Sequence, residues 1–221
     1  MASRNIQLTA GEYYHVFNRG VDKRDIFTNK DELYFFLKQL KELNSIDTSN
    51  ALRMRRKENR ELKNPYTDEK LISIVAYCLL PNHFHLLLKQ ESEDGIAKFM
   101  HRLCSSYVKV FNQKHNRSGS LFQGRFKAKH INGYYALPSV STYVNLNYKH
   151  HKIEPKHQLV KSSIFEYLDT EIGNRVCNQD EINKIINEAG SLEQYKINTK
   201  NTSIAFADNK GVTLNTEDFE F

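Results

Sequence analysis

The sequence has no apolar run approaching the ~20 residues that a membrane span requires. Its opening, MASRNIQLTAGEYY, lacks the continuous apolar stretch of a secretory signal. Both absences lead to the expectation of a cytoplasmic protein with no membrane partner. Cysteine is scarce: Cys78, Cys104 and Cys177 are odd in number and nowhere in CxxC spacing. That argues against a disulfide framework or a zinc knuckle and leaves three small apolar residues for the interior. Internal repeats and low-complexity tracts are absent too, and the only linker signal is a weak one near Pro155.

What is present suffices for a core. The chain has 221 residues, 39% of them hydrophobic, which fits one compact domain with a small appendage. Its net charge of +6 is unevenly spread, with 24 basic and 14 acidic residues in 1–150 against 8 and 12 in 151–221. A basic body is the electrostatic footprint of a protein that meets phosphates, although many basic proteins bind no nucleic acid. The expected division is a main domain at 1–152 and an acidic C-terminal extension at 153–221. The extension is expected to be helical around 180–189 and loosely ordered from about residue 198. Between 45 and 69 the main domain carries a basic insertion that includes Arg53, Arg55, Arg56, Lys57, Arg60 and Lys63.

Periodicity supplies the elements. Residues 13–19 are aromatic and β-branched and end at Gly20, as a strand would. Thr28 or Asn29 can cap a helix in which Leu33, Phe36, Leu37 and Leu40 recur at helical spacing. Residues 70–90 read as two strands joined by a tight turn at Pro81-Asn82. A long helix over about 95–115 gathers Ile96, Phe99, Met100, Leu103, Tyr107, Val110 and Phe111 on one face. A strand over 125–131 and a helix over about 138–150 follow. The order β-α-β-β-α-β is the split βαβ, ferredoxin-like arrangement, so the expected class is α+β: an antiparallel sheet with two helices on one face and one added helix.

On a strand, residues two apart point to the same face, so His83 and His85 present two imidazoles side by side while Phe84 turns away. Two such nitrogens need one more ligand to hold a divalent ion. An arbitrary HxH pair is more often hydrogen-bonded at a sheet surface. Here it sits between Leu79-Leu80 and Leu86-Leu87-Leu88, which have the look of buried strand.

The words Leu80-Pro81-Asn82-His83-Phe84-His85-Leu86-Leu87 and Tyr14-His15-Val16-Phe17-Asn18-Arg19-Gly20 closely resemble the REP-associated tyrosine transposase family. The likeness continues through Gly119-Ser120-Leu121-Phe122-Gln123-Gly124-Arg125-Phe126-Lys127 and Tyr143-Val144-Asn145-Leu146-Asn147, and covers most of 12–150. The resemblance implies a His-hydrophobic-His metal motif at His83 and His85, Mg²⁺ or Mn²⁺ as cofactor, and a nucleophilic tyrosine on a helix. Tyr143 and Asn147 match the family's Tyr-x-x-x-Asn word, and a spacing of four puts both on one helical face, which makes Asn147 the candidate third ligand. One departure is that Tyr148 stands where the family commonly has proline. Tyr107 is the rival nucleophile, but Asn112 at a spacing of five faces away from it, so core packing or stacking is its expected role. Tyr148 is a more distant alternative. His150 and His151 could serve as extra ligands, although solvated or dipole-interacting histidines are the commoner case.

For DNA contact the candidates are Arg125, Lys127 and Lys129, which alternate along one strand, then Arg102 and Lys109 on the preceding helix, and Gln123. The resemblance implies a metal-dependent enzyme that cleaves and rejoins single-stranded, hairpin-forming DNA through a 5′-phosphotyrosine, working as a monomer or a homodimer. The alternative is a transposase-derived protein that binds palindromic DNA or RNA hairpins without cutting them. A metalloenzyme for small phosphate esters fits the dispersed basic residues less well.

Overall fold

Alternation along β1 (Tyr13–Arg19) sends Tyr14, Val16 and Asn18 to one side of a sheet and His15 and Phe17 to the other. The structure is a computed structural model and describes residues 6–45, 70–133, 136–153, 158–168 and 175–208. Apart from Ser45, the basic insertion lies outside the described residues. β1 pairs antiparallel with β3 (His83–Gln90), which pairs with β2 (Ile72–Leu80) across the Pro81-Asn82 turn. With β4 (Lys127–His130) and β5 (Lys161–Ser162) at the edges, the five-stranded order is β4-β1-β3-β2-β5. This is the α+β, split βαβ arrangement that the element order implies.

Every residue of β2 is buried, and β3 is buried along nearly all its length, because helices cover both faces of the sheet. One layer is α1 (Lys30–Glu42) with α2 (Gly95–Lys114). Its ring contacts include Phe36 with Phe84 at 5.4 Å and Phe36 with Tyr107 at 5.0 Å between centroids. Tyr107 is 1% exposed and its hydroxyl donates to the carbonyl of Ile26, so this rival nucleophile is a core residue on the face away from His83 and His85. Asn29 caps α1 by accepting from the Glu32 amide at 3.1 Å, and the Glu32 carboxylate accepts in turn from the amide of Thr28, the residue before the cap, at 2.8 Å. His115 at the end of α2 reaches the same carboxylate at 2.7 Å and ties the two helices together.

The loop between β1 and α1 clamps the β2–β3 turn. The amides of Ile26 and Phe27 donate to the Pro81 carbonyl, and the Gly20 amide donates to the Asn82 carbonyl. A side chain at residue 20 would put its Cβ 2.1 Å from the Arg24 carbonyl oxygen, so only glycine fits.

The other face carries α3 (Ala136–Asn145), α4 (Asn147–His150), α5 (Ile164–Leu168), α6 (Gln179–Glu188) and α7 (Leu192–Ala207). The single helix expected over 138–150 is therefore two, broken at Leu146 with φ −103° and ψ 9°. The break has a tertiary cause: Ser162 donates to the main-chain carbonyl of Asn145 at 2.6 Å, drawing it out of the helical ladder. The Asn145 side chain is held as well, by Ser163 and Tyr195. Helix α7 runs through polar residues of little helical signal. Its Ser191 cap accepts from the Gln194 amide, and Tyr195, Thr199 and Phe206 are the residues it buries.

Candidate active site

β3 is the spine of the site. The register sets His85 opposite Phe17 and His83 opposite Arg19 on β1, so both imidazoles rise on the face roofed by α3, α4 and α7. His83 is 6% exposed and His85 1%. His15, also on β1, stacks on His85 with centroids 5.0 Å apart, and its Nε2 lies 2.8 Å from His85 Nδ1. His83 Nδ1 lies 2.6 Å from the side-chain oxygen of Asn82 in the turn. Each ring of the pair is thus held through Nδ1, the arrangement in which outer-shell partners orient metal-ligating histidines.

A further imidazole near this pair belongs to His151, just past α4. Its ring meets that of His83 edge-on at 4.5 Å, and the ligand atoms of His83, His85 and His151 lie within 4.8 Å of one another. Two ligands on one ion with bonds of roughly 2.1 Å cannot be more than about 4.2 Å apart, so the cluster needs only a small contraction to close on a metal. Asn147 is fully buried in polar contact with His83, yet neither of its amide atoms has a well-formed hydrogen bond among the described residues. An orphaned buried amide beside three converging imidazoles is a donor set that fits a divalent cation.

The electrostatics agree. Burial, reinforced by His151, pulls the His83 pKa from 6.5 to about 3. Burial and the nearby Lys129 pull His15 to about 3, while burial together with the surrounding histidines carries His85 well below its ordinary value. Desolvation and its neighbour His150 lower His151 to about 4. All four rings are therefore neutral near pH 7, the state in which an imidazole can ligate.

Tyr143 comes from α3 into the same pocket. It is 0% exposed, and its ring stands edge-on to His15 at 5.9 Å and to His85 at 6.2 Å. Phe206 of α7 closes over it at 6.0 Å and over His150 at 5.0 Å. Tyr143 and Asn147 thus both reach the histidine pair although they sit on different helices. Tyr148 is buried on α4.

Lys127 and Lys129 stand on the site side of β4, with Lys127 Nζ 6.0 Å from the Phe17 ring. Arg125 precedes the strand and does not share their face. It lines a groove of about 490 Å³ with Asn18, His101 and Phe126 on the α2 side of the sheet. Arg102 donates to the Ser45 carbonyl at 2.7 Å, Lys109 is exposed on α2, and Gln123 accepts from Arg19. His15 was not singled out as a site residue from sequence, and His151 was not favoured as one. The spacing of four from Asn147 to His151 was the available signal for the second. For His15 the signal lies in strand pairing, which no local pattern carries.

The sequence model of the family described as "Transposase IS200 like" matches residues 11–147. A solved structure of a REP-associated tyrosine transposase bound to a REP hairpin is similar at 12% identity and a TM-score of 0.49, over 80% of this chain and 94% of that one. No curated protein matches the chain.

Proposed function

Because the chain belongs to the IS200-like transposases, we propose that it cuts and rejoins single-stranded, hairpin-forming DNA through a 5′-phosphotyrosine on Tyr143. The observation that carries this reading is the convergence of Tyr143 with His83 and His85 in one buried pocket. His83, His85 and Asn147 would hold a divalent ion, Mg²⁺ or Mn²⁺, with His151 at the solvent-facing rim. Imidazole-rich ligation suits Mn²⁺ better than Mg²⁺. When bound, the ion supplies positive charge to a phosphate oxygen and to charge developing in the transition state.

The chain's own residues do the rest. The Tyr143 oxygen attacks phosphorus, its bond to phosphorus forms as the bond to the 3′ oxygen breaks, and the phenolic proton is released while the 3′ oxygen takes one up. One phosphodiester replaces another, so the reverse step rejoins strands without an energy source. A phenol is a weak nucleophile near neutral pH, which makes in-line positioning by the packing of α3 the main contribution. Lys127 and Lys129 would hold backbone phosphates beside the pocket, with Arg125, Arg102, Lys109 and Gln123 contacting flanking nucleotides. Phe206 covers Tyr143, so α7 has to shift for a phosphate to reach the hydroxyl.

That complete burial favours one alternative, a hairpin-binding protein that does not cut. A labelled hairpin oligonucleotide with single-stranded flanks, incubated with wild type or Tyr143→Phe and resolved on a denaturing gel, separates the two. A covalent protein–DNA species is expected only with wild type, lost in chelator and restored by Mn²⁺. An adduct with Tyr143→Phe would overturn the nucleophile assignment, and no adduct with wild type would leave the binding protein.

A further inference from the structure

A neutral imidazole offers one N–H and one lone pair, so His83 ligates a metal through Nε2 only in the tautomer that carries its proton on Nδ1. The surroundings of Asn82 select that tautomer. The Asn82 amide nitrogen donates to the main-chain carbonyl of Lys23 at 3.1 Å, and a carbonyl can only accept. This fixes the amide orientation and turns the side-chain oxygen to His83 Nδ1 at 2.6 Å. That oxygen likewise only accepts, so Nδ1 must donate and the lone pair is left on Nε2, toward His85 and His151.

The Lys23 carbonyl is itself held in place. Asp22 and Lys23 have φ of 55° and 59°, conformations that non-glycine residues keep only when surrounding contacts hold them. Here the contacts are the Lys23 amide on the Gly20 carbonyl at 3.1 Å and the Gly20 amide on the Asn82 carbonyl at 2.8 Å. The loop and the turn therefore close on each other through both main chain and side chain.

We propose that Asn82 is a positioning residue whose side-chain oxygen, oriented by the Lys23 carbonyl, fixes His83 in its Nδ1–H tautomer and so readies Nε2 to bind a divalent cation. The proposal rests on the metal reading of His83, and the test keeps the two apart.

The ring carbon and nitrogen shifts of His83, measured by NMR on the metal-free protein, report its tautomer without any metal. Mn²⁺ affinity is then measured by electron paramagnetic resonance for wild type, Asn82→Ala and Asn82→Asp. Wild type is expected to show the Nδ1–H form. Asn82→Ala is expected to show mixed tautomers and about 10- to 100-fold weaker Mn²⁺ binding, with Asn82→Asp, which keeps an acceptor, restoring both. A merely structural role for Asn82 would leave the tautomer unmoved. An Nε2–H form in wild type, or wild-type tautomer and affinity in Asn82→Ala, would overturn the proposal. Should Asn82→Ala not fold, the wild-type tautomer and the aspartate variant decide it. The Nδ1–H form in a wild type that binds no Mn²⁺ would sink the metal reading and leave the tautomer assignment standing.

Discussion

Acid should destabilise the metal-free protein well before its carboxylates titrate. His15, His83 and His85 are buried neutral, the first two with pKa values near 3 and the third well below 6.5. In the unfolded chain each returns to about 6.5. Below that pH the unfolded state binds protons that the native state refuses, so stability is complete above pH 6.5 and falls as the pH drops toward 3. Each pH unit in that window removes about 1.4 kcal/mol per histidine, which makes about 2 kcal/mol per ring at pH 5 and roughly 6 kcal/mol for the three. That is a ceiling comparable with the whole stability of a typical domain, about 5–15 kcal/mol. Urea unfolding followed by circular dichroism at pH 7 and pH 5, in chelator, reads it as a fall in midpoint. Replacing one ring, as in His15→Gln, should shrink the fall by about a third. A midpoint equal at pH 5 and pH 7 would refute the claim that these imidazoles are held neutral by burial.

Phe206→Ala removes the ring that covers Tyr143 and His150; it should cost about 3–5 kcal/mol in unfolding experiments. If α7 must lift for DNA to enter, the same change should speed adduct formation by as much as ~100-fold at 1.4 kcal/mol per tenfold, and an unchanged rate would remove α7 from the access route. Lys127→Ala and Lys129→Ala should each weaken single-strand binding and flatten the plot of log affinity against log salt by about 0.7, a slope that fluorescence anisotropy measures. At Glu32, burial alone would raise the pKa, but hydrogen bonds from Thr28, His115 and Asn29 outweigh it and lower the value from 4.5 to about 2. Its stabilisation is thus complete above pH 4.5 and lost as the pH falls toward 2, so a Glu32→Gln protein should melt lower than wild type at pH 7 and approach it in acid.

What could be read from sequence was what depends on near neighbours. Apolar spacing located α1 and α2 because each buries one stripe, and the period of two on β3 put His83 and His85 together whatever they faced. His15 was not legible as a site residue, because its meeting with His85 joins positions 70 apart in the chain and follows from the β1–β3 register. The break at Leu146 was equally hidden: nothing in 138–150 forbids a continuous helix, and the cause is a hydroxyl sixteen residues beyond it, on Ser162. Helix α7 escaped notice because Asn, Thr and Ser fill most of its turns, and its burial comes from Tyr195 and Phe206 meeting α3 and α4.

The geometry of the site follows from matching two periods. Consecutive same-face residues on a strand are about 6.6 Å apart, whereas a helical stripe at spacings of four advances about 6 Å per step. Tyr143 near the end of α3, Asn147 at the start of α4 and His151 just past α4 recur at spacings of four across the Leu146 break, so their side chains can follow the two strand histidines. Tyr143 falls beside His85, and Asn147 and His151 beside His83. A shift of α3 by one residue would turn Tyr143 by about 100° and take it off β3. The Asn145 anchors from Ser162, Ser163 and Tyr195 fix that rotation. The polar contacts on Asn145 therefore bear on Tyr143 without touching it: loosening them should displace Tyr143 while His83 and His85 stay paired on their strand.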